Sequence, residues 1–191
     1  MFSPKWLQSY VFEPILQRLK AYIITAQDRA ILSGYFRYGY DRAPLENQAR
    51  VQYVITMPAS GWNPYLFSRT LSAFNAGGIE YRVYTGVNLA GVNTTPAITR
   101  PPTNAQVTWE KITDPAIDPV ALGGEERDYT EIPRSGQGAQ ATGGLLGSQD
   151  LRPQPDGAVF VIDVYNNSGV AGTNQVLTYL TWAELPEPEV L

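Results

Sequence analysis

Short segments with a repeat of two recur along this chain, and no regular series of ten-residue helices separates them. That combination restricts the fold more than any single motif does. In RVQYVITMP, residues 50–58, Val51, Tyr53, Ile55 and Met57 share one face, while Gln52, Val54 and Thr56 share the other. The pattern predicts a half-buried strand, closed by Pro58 and the turn residues Ser60-Gly61. Ile79, Tyr81 and Val83 alternate with Glu80, Arg82 and Tyr84 in the same way. Further strands are expected at SGYFRYGY (33–40), QVTWEKI (106–112), RDYTEIP (127–133) and NQVLTYLTWAEL (174–185). AVFVIDVYNN (158–167) is apolar on both faces, so it should be covered on both.

Two stretches read as helical. In EPILQRLKAYI, residues 13–23, Pro14 suits a first helical turn, and Ile15, Leu16, Leu19, Tyr22 and Ile23 make one stripe. This segment is expected to run over about 13–30. In YLFSRTLSAFNA, residues 65–76, Leu66, Phe67, Thr70, Leu71 and Phe74 also fall on one helical face. Gly77-Gly78 follows immediately, and one of the pair is expected to cap that helix in the left-handed conformation. A phosphate loop needs the opposite order, strand then glycines then helix, so no nucleotide site is assigned there. With no strand–helix–strand rhythm and no internal repeat, the expected fold is all-β: a single antiparallel β-sandwich of jelly-roll type over 1–191, with short helices and an acidic tail at 186–191. Loops are expected at 88–105 and 134–157.

Composition narrows the chemistry. The chain has no Cys and no His, which excludes disulfides, thiol nucleophiles, zinc sites with those ligands and any triad with a His base. Charged residues make up 17%, below the roughly 25% of ordinary soluble domains. Tyr is abundant at 12 residues, a type favoured at protein interfaces. Residues 1–50 hold seven basic and four acidic side chains, and the remainder seven against fourteen. No dense basic patch stands out. No apolar run nears the ~20 residues of a membrane span, and the N-terminal MFSPKWLQSY lacks a signal-peptide core.

The acidic residues Asp114 and Asp118, and Glu125, Glu126 and Asp128, sit among Gly and Pro and read as solvated turns more readily than as a glycosidase pair. Asp163 interrupts an apolar strand, and a buried carboxylate there needs an Arg partner or a wet strand end. Trp109 and Trp182 are expected in the core, and Trp62 exposed at a turn or interface. The two sequons, at Asn93 and Asn166, are assigned no glycosylation.

The order of these segments resembles the capsid proteins of picorna-like viruses, the broad order that includes dicistroviruses, iflaviruses and marine members. The likeness is carried by Ala73–Val83, AFNAGGIEYRV, which keeps Phe74, Gly78, Ile79 and Tyr81 of the family's Gly-rich entry to a jelly-roll strand. It is also carried by EPILQRLKAY, by DYTEIPRSGQ with Glu131, Ile132 and Pro133, and by the closing strand pair. The resemblance implies a structural subunit of an icosahedral shell, located in the virion and assembled in the host cytoplasm. It implies no catalytic, cofactor or metal residues. Its partners would be other copies, related capsid subunits, genomic RNA touched weakly by the basic N-terminal third, and a host receptor. Loops 88–105 and 134–157 would face outward or touch neighbours. A carbohydrate- or receptor-binding β-sandwich of the phage-tail or adhesin kind is the alternative.

Overall fold

The computed structural model describes residues 36–74, 77–100, 105–113, 116–132, 140–143 and 155–186. The predicted N-terminal helix, Trp6, Asp114 and all but Pro186 of the acidic tail lie outside them. The described residues form strands only: β1 (Phe36–Leu45), β2 (Arg50–Thr56), β3 (Trp62–Ala73), β4 (Ile79–Thr85), β5 (Thr94–Pro96), β6 (Ile98–Arg100), β7 (Thr108–Ile112), β8 (Glu125–Ile132), β9 (Gln140–Gly143), β10 (Val159–Asn166) and β11 (Asn174–Pro186). One sheet has the order β6-β1-β11-β3-β9 and the other β5-β7-β2-β10-β4-β8. Every pairing is antiparallel. The inward residues of both sheets meet in one core, with Leu66, Leu71, Leu180 and Trp182 from the first facing Tyr53, Ile55, Tyr81 and Ile162 from the second.

The fold class is therefore the expected all-β sandwich, but the short helices are not there among the described residues. The run predicted as helical at 65–76 is β3, paired along β11 from Trp62↔Pro186 to Ala73↔Val176. The reason for the misreading is a β-bulge. Ser68 pairs with Thr181 and Leu66 with Trp182, so Phe67 is an extra residue on β3. Strict alternation would put Leu66 and Leu71 on opposite faces, because they are an odd number apart. The bulge resets the parity, and both end in the core. Apolar residues spaced in this way imitate a helical stripe.

Gly78 does take a positive φ, 80°, but it turns the chain between two strands instead of ending a helix. Its N–H is held by the Ile132 carbonyl at 2.6 Å, and its own carbonyl accepts from the Asn167 N–H at 2.8 Å. The region expected as loop 88–105 holds the short strands β5 and β6, and 134–157 holds β9.

The strand β2 is buried on both faces, not half-buried: Gln52 and Val54 are each 2% exposed. On that outer side Tyr84, Val87 and Val161 form a second small cluster with Leu89, Ile117 and Leu122 from the loops after β4 and before β8. These loops cover β10 from outside, which is why β10 is apolar on both faces.

Close approach within the core requires a glycine in β1. A Cβ built on Gly39 would lie 2.1 Å from a ring carbon of Trp109 and 3.0 Å from the Ile98 carbonyl oxygen. Trp109 in turn packs against Tyr53 with ring centres 5.6 Å apart. The Tyr53 hydroxyl donates to Asp41 at 2.8 Å, and Lys111 pairs with the same carboxylate at 2.9 Å. Burial pushes the Tyr53 hydroxyl far above its ordinary range, so it stays a donor.

Candidate functional site

The outer face of the second sheet carries the densest set of polar side chains. Antiparallel register brings them together in rows across the strands. Gln52, Asp163, Arg82 and Tyr129 form one row across β2, β10, β4 and β8. Arg50, Tyr165 and Glu80 form the next. Beside them, the segment 116–119 makes a wall, and the cleft, open to solvent on one side, has a volume of about 430 Å³.

Asp163 is at its base, 2% exposed. Arg50 donates to one carboxylate oxygen at 3.0 Å, and the Gln52 amide to the other at 3.1 Å. Burial pushes the Asp163 carboxyl above the usual carboxylate range; Arg50 and Gln52 pull it back only in part. Glu80 behaves in the opposite way. Burial alone would raise it, but hydrogen bonds from Asn167 and Arg82 hold it below the usual range. Arg82 bridges Glu80 at 2.9 Å and Glu126 at 3.1 Å. Both guanidiniums also rest on aromatic rings, Arg50 over Tyr165 at 4.8 Å and Arg82 over Tyr129 at 5.0 Å.

Gln52 fastens the wall. Its amide donates to the Ile117 carbonyl at 2.9 Å and accepts from the Ile117 N–H at 2.8 Å, as a neighbouring strand would. Gln52→Ala leaves both backbone groups without these partners, and should cost about 1–3 kcal/mol. Hydrogen exchange at the Ile117 amide should rise in the variant; an unchanged exchange rate would show that the loop holds itself.

The Asp163 shift has a sign that can be tested. A carboxyl whose folded-state pKa is raised favours the folded state at low pH, and this contribution is lost as pH rises through the raised value. Wild type should therefore gain stability relative to Asp163→Asn as pH is lowered from 7 towards the ordinary aspartate range. Denaturant unfolding at both ends measures it, and a pH-independent difference would refute the shift.

Of the other acidic residues, Asp118 lines the cleft from its wall and Glu126 reaches it through Arg82. Glu125 pairs with the exposed Arg127 at 2.9 Å, and Asp128 accepts from the Tyr129 N–H at 2.8 Å, both along β8. Asp118 caps its own turn through the N–H groups of Val120 and Ala121. Among the described residues no group of three or more acidic side chains is placed to hold a metal ion. Trp109 and Trp182 are in the core as expected, 2% and 0% exposed. Trp62 is not at an exposed turn but opens β3, half-buried.

A second surface is the end of the sandwich where the turns 46–49 and 167–173 meet Phe74 and residues 77–78. Asn166, 0% exposed, ties them: its side-chain amide donates to the carbonyls of Leu45 and Glu46 at 2.9 and 3.0 Å. The Gly169 N–H reaches Asn47 at 2.9 Å. Phe74 and Val170 stand exposed there, at 46% and 54%. The second sequon is thus a structural Asn, a role its motif does not reveal.

Sequence reasoning also missed Glu184, which is 0% exposed in β11. It accepts from the N–H groups of Gln106 and Val107 at 3.0 and 2.9 Å and from Trp182 Nε1 at 2.8 Å, with the buried Arg37 at 3.7 Å. The available signal was its parity: it lies two residues past the core Trp182, and so points inward.

Compared with known proteins, the sequence matches no family model and no curated protein.

Proposed function

We propose that this chain is a structural coat-protein subunit that assembles with copies of itself and related subunits into an icosahedral shell around an RNA genome. The observation that carries this reading is strand order. With β5–β7 set aside as an insertion, the sheets read β1-β11-β3-β9 and β2-β10-β4-β8. The chain then crosses between sheets at each step from β1 to β4 and from β8 to β11, and stays in one sheet from β4 to β8. That alternation supports a jelly roll of two Greek keys, an architecture used by viral coats.

The edges support association through loops and faces, not through strand addition. The edge strand β8 carries Glu125, Glu126, Arg127, Asp128 and Glu131, and β5 ends in Pro96. Charges and prolines of this kind block edge-to-edge growth, which would give fibres. The turns at the end of the sandwich present Phe74 and Val170 on a hydrogen-bonded frame, a surface suited to contact between copies.

The RNA and the shell symmetry enter from the resemblance. Of the arginines in the described part of the basic third, Arg37 and Arg50 are already ion-paired within the chain. Contact with RNA then falls to Arg42, which among the described residues is bonded to Gln175 and not to an acid, and to residues 1–35, and is salt-sensitive. Electron microscopy of the purified chain at rising protein concentration tests the reading. Closed particles of uniform diameter are expected; dispersed monomers or unbranched fibres would overturn it.

A further inference from the structure

We propose that the cleft between β2, β10, β4 and the 116–119 wall binds a neutral polyhydroxyl ligand of the sugar class. The inference does not depend on whether the chain assembles. The volume of about 430 Å³ lies within the range of small-ligand sites.

Its chemistry selects among ligand classes. The lining holds the guanidiniums of Arg50 and Arg82 and the carboxylates of Glu80, Asp118 and Asp163. With three carboxylates to two guanidiniums, a free anion is repelled. A purely apolar ligand would strip water from these groups without replacing its hydrogen bonds. A hard divalent cation needs several unengaged oxygens. Here both oxygens of Asp163 and both oxygens of Glu80 already accept hydrogen bonds.

A hydroxyl both donates and accepts, so neighbouring hydroxyls on one ring can accept from the guanidiniums and donate to the exposed carboxylate of Asp118 on the wall. The arginines are held ready for this. Arg50 is fixed by Asp163 at 3.0 Å and by the Tyr165 ring at 4.8 Å, yet its side chain is 39% exposed. Arg82 is fixed between Glu80 and Glu126 and its side chain is 38% exposed. Ordering such side chains in advance lowers the cost of binding. Ala116 and Ile117 on the wall give the C–H face of a ring an apolar surface.

Ligand-observed NMR and calorimetry on the full chain, with the methyl glycosides of glucose, galactose and mannose, test the proposal. Inorganic phosphate and putrescine serve as anionic and cationic probes. At least one glycoside is expected to bind with a Kd of about 1 mM. Arg50→Lys keeps the charge facing Asp163 but removes the planar fork of donors, and should weaken binding about tenfold. Ala116→Trp fills the cleft from an exposed wall position without touching the ion pairs, and should abolish binding while leaving Tm unchanged. Absence of binding by all three glycosides would overturn the proposal. So would binding by phosphate or putrescine alone, or glycoside binding that survives Ala116→Trp.

Discussion

Glu184→Gln is expected to destabilise the protein by about 3–5 kcal/mol, the cost of breaking a buried charge pair from one side. In the native chain two backbone N–H groups and the Trp182 indole all donate to this carboxylate. An amide in its place turns one acceptor oxygen into a donor, which then faces a donor. Arg37, with its side chain 6% exposed, loses its counter-charge as well. At about 2–4 °C per kcal/mol for a chain of this size, Tm should fall by roughly 6–20 °C. The double variant Arg37→Met with Glu184→Gln should recover only the part of the loss that comes from the unpaired guanidinium, because the amide donor still faces the N–H groups of the segment before β7. A Tm within about 2 °C of wild type for Glu184→Gln would show that the carboxylate is not holding the segment before β7 onto β11.

Gly39→Ala should be nearly as damaging. The added methyl would stand 2.1 Å from the Trp109 ring, and Trp109 is itself 2% exposed, with Tyr53 packed beside it. Neither ring has room to withdraw. Overpacking of a tight core costs about 1–3 kcal/mol and occasionally more, and this site belongs at the upper end. The test of cause is a second change. Trp109→Leu alone leaves a cavity and destabilises. Combined with Gly39→Ala it should be less harmful than the two losses added together. Strict additivity would show that the methyl and the ring do not meet.

Much of this architecture was legible in local pattern. β4 and β10 announce themselves by alternation and by apolar character on both faces, because each strand's burial depends on its own residues. β3 was not legible as a strand. Its bulge at Phe67 depends on the partner β11, and the local record of that shift looks like a helix. The short strands β5, β6 and β9 have too few residues to carry a pattern and owe their pairing to neighbours far along the chain. The cleft divides in the same way. That Glu80, Arg82 and Asp163 point away from the core follows from parity. That they share one cleft follows only from β10 lying between β2 and β4, which is a property of the sheet order. Asp163 was read as needing an Arg partner or a wet strand end, and Arg50 supplies the first from a position 113 residues earlier. The Gly77-Gly78 corner was read as a helix cap; Gly78 keeps the expected positive φ but joins strands, with its N–H held by Ile132.

The shell reading proposed above gives the charged edge of β8 and the exposed Phe74 and Val170 a common purpose. The charged edge opposes growth by strand addition, and the apolar pair gives copies a surface on which to meet. The direct measurement is static light scattering of the purified full chain at rising concentration in low salt. The account predicts that the mean mass climbs well above one chain and then stops at a closed size. A mass that stays at one chain up to the highest concentration attained would contradict it.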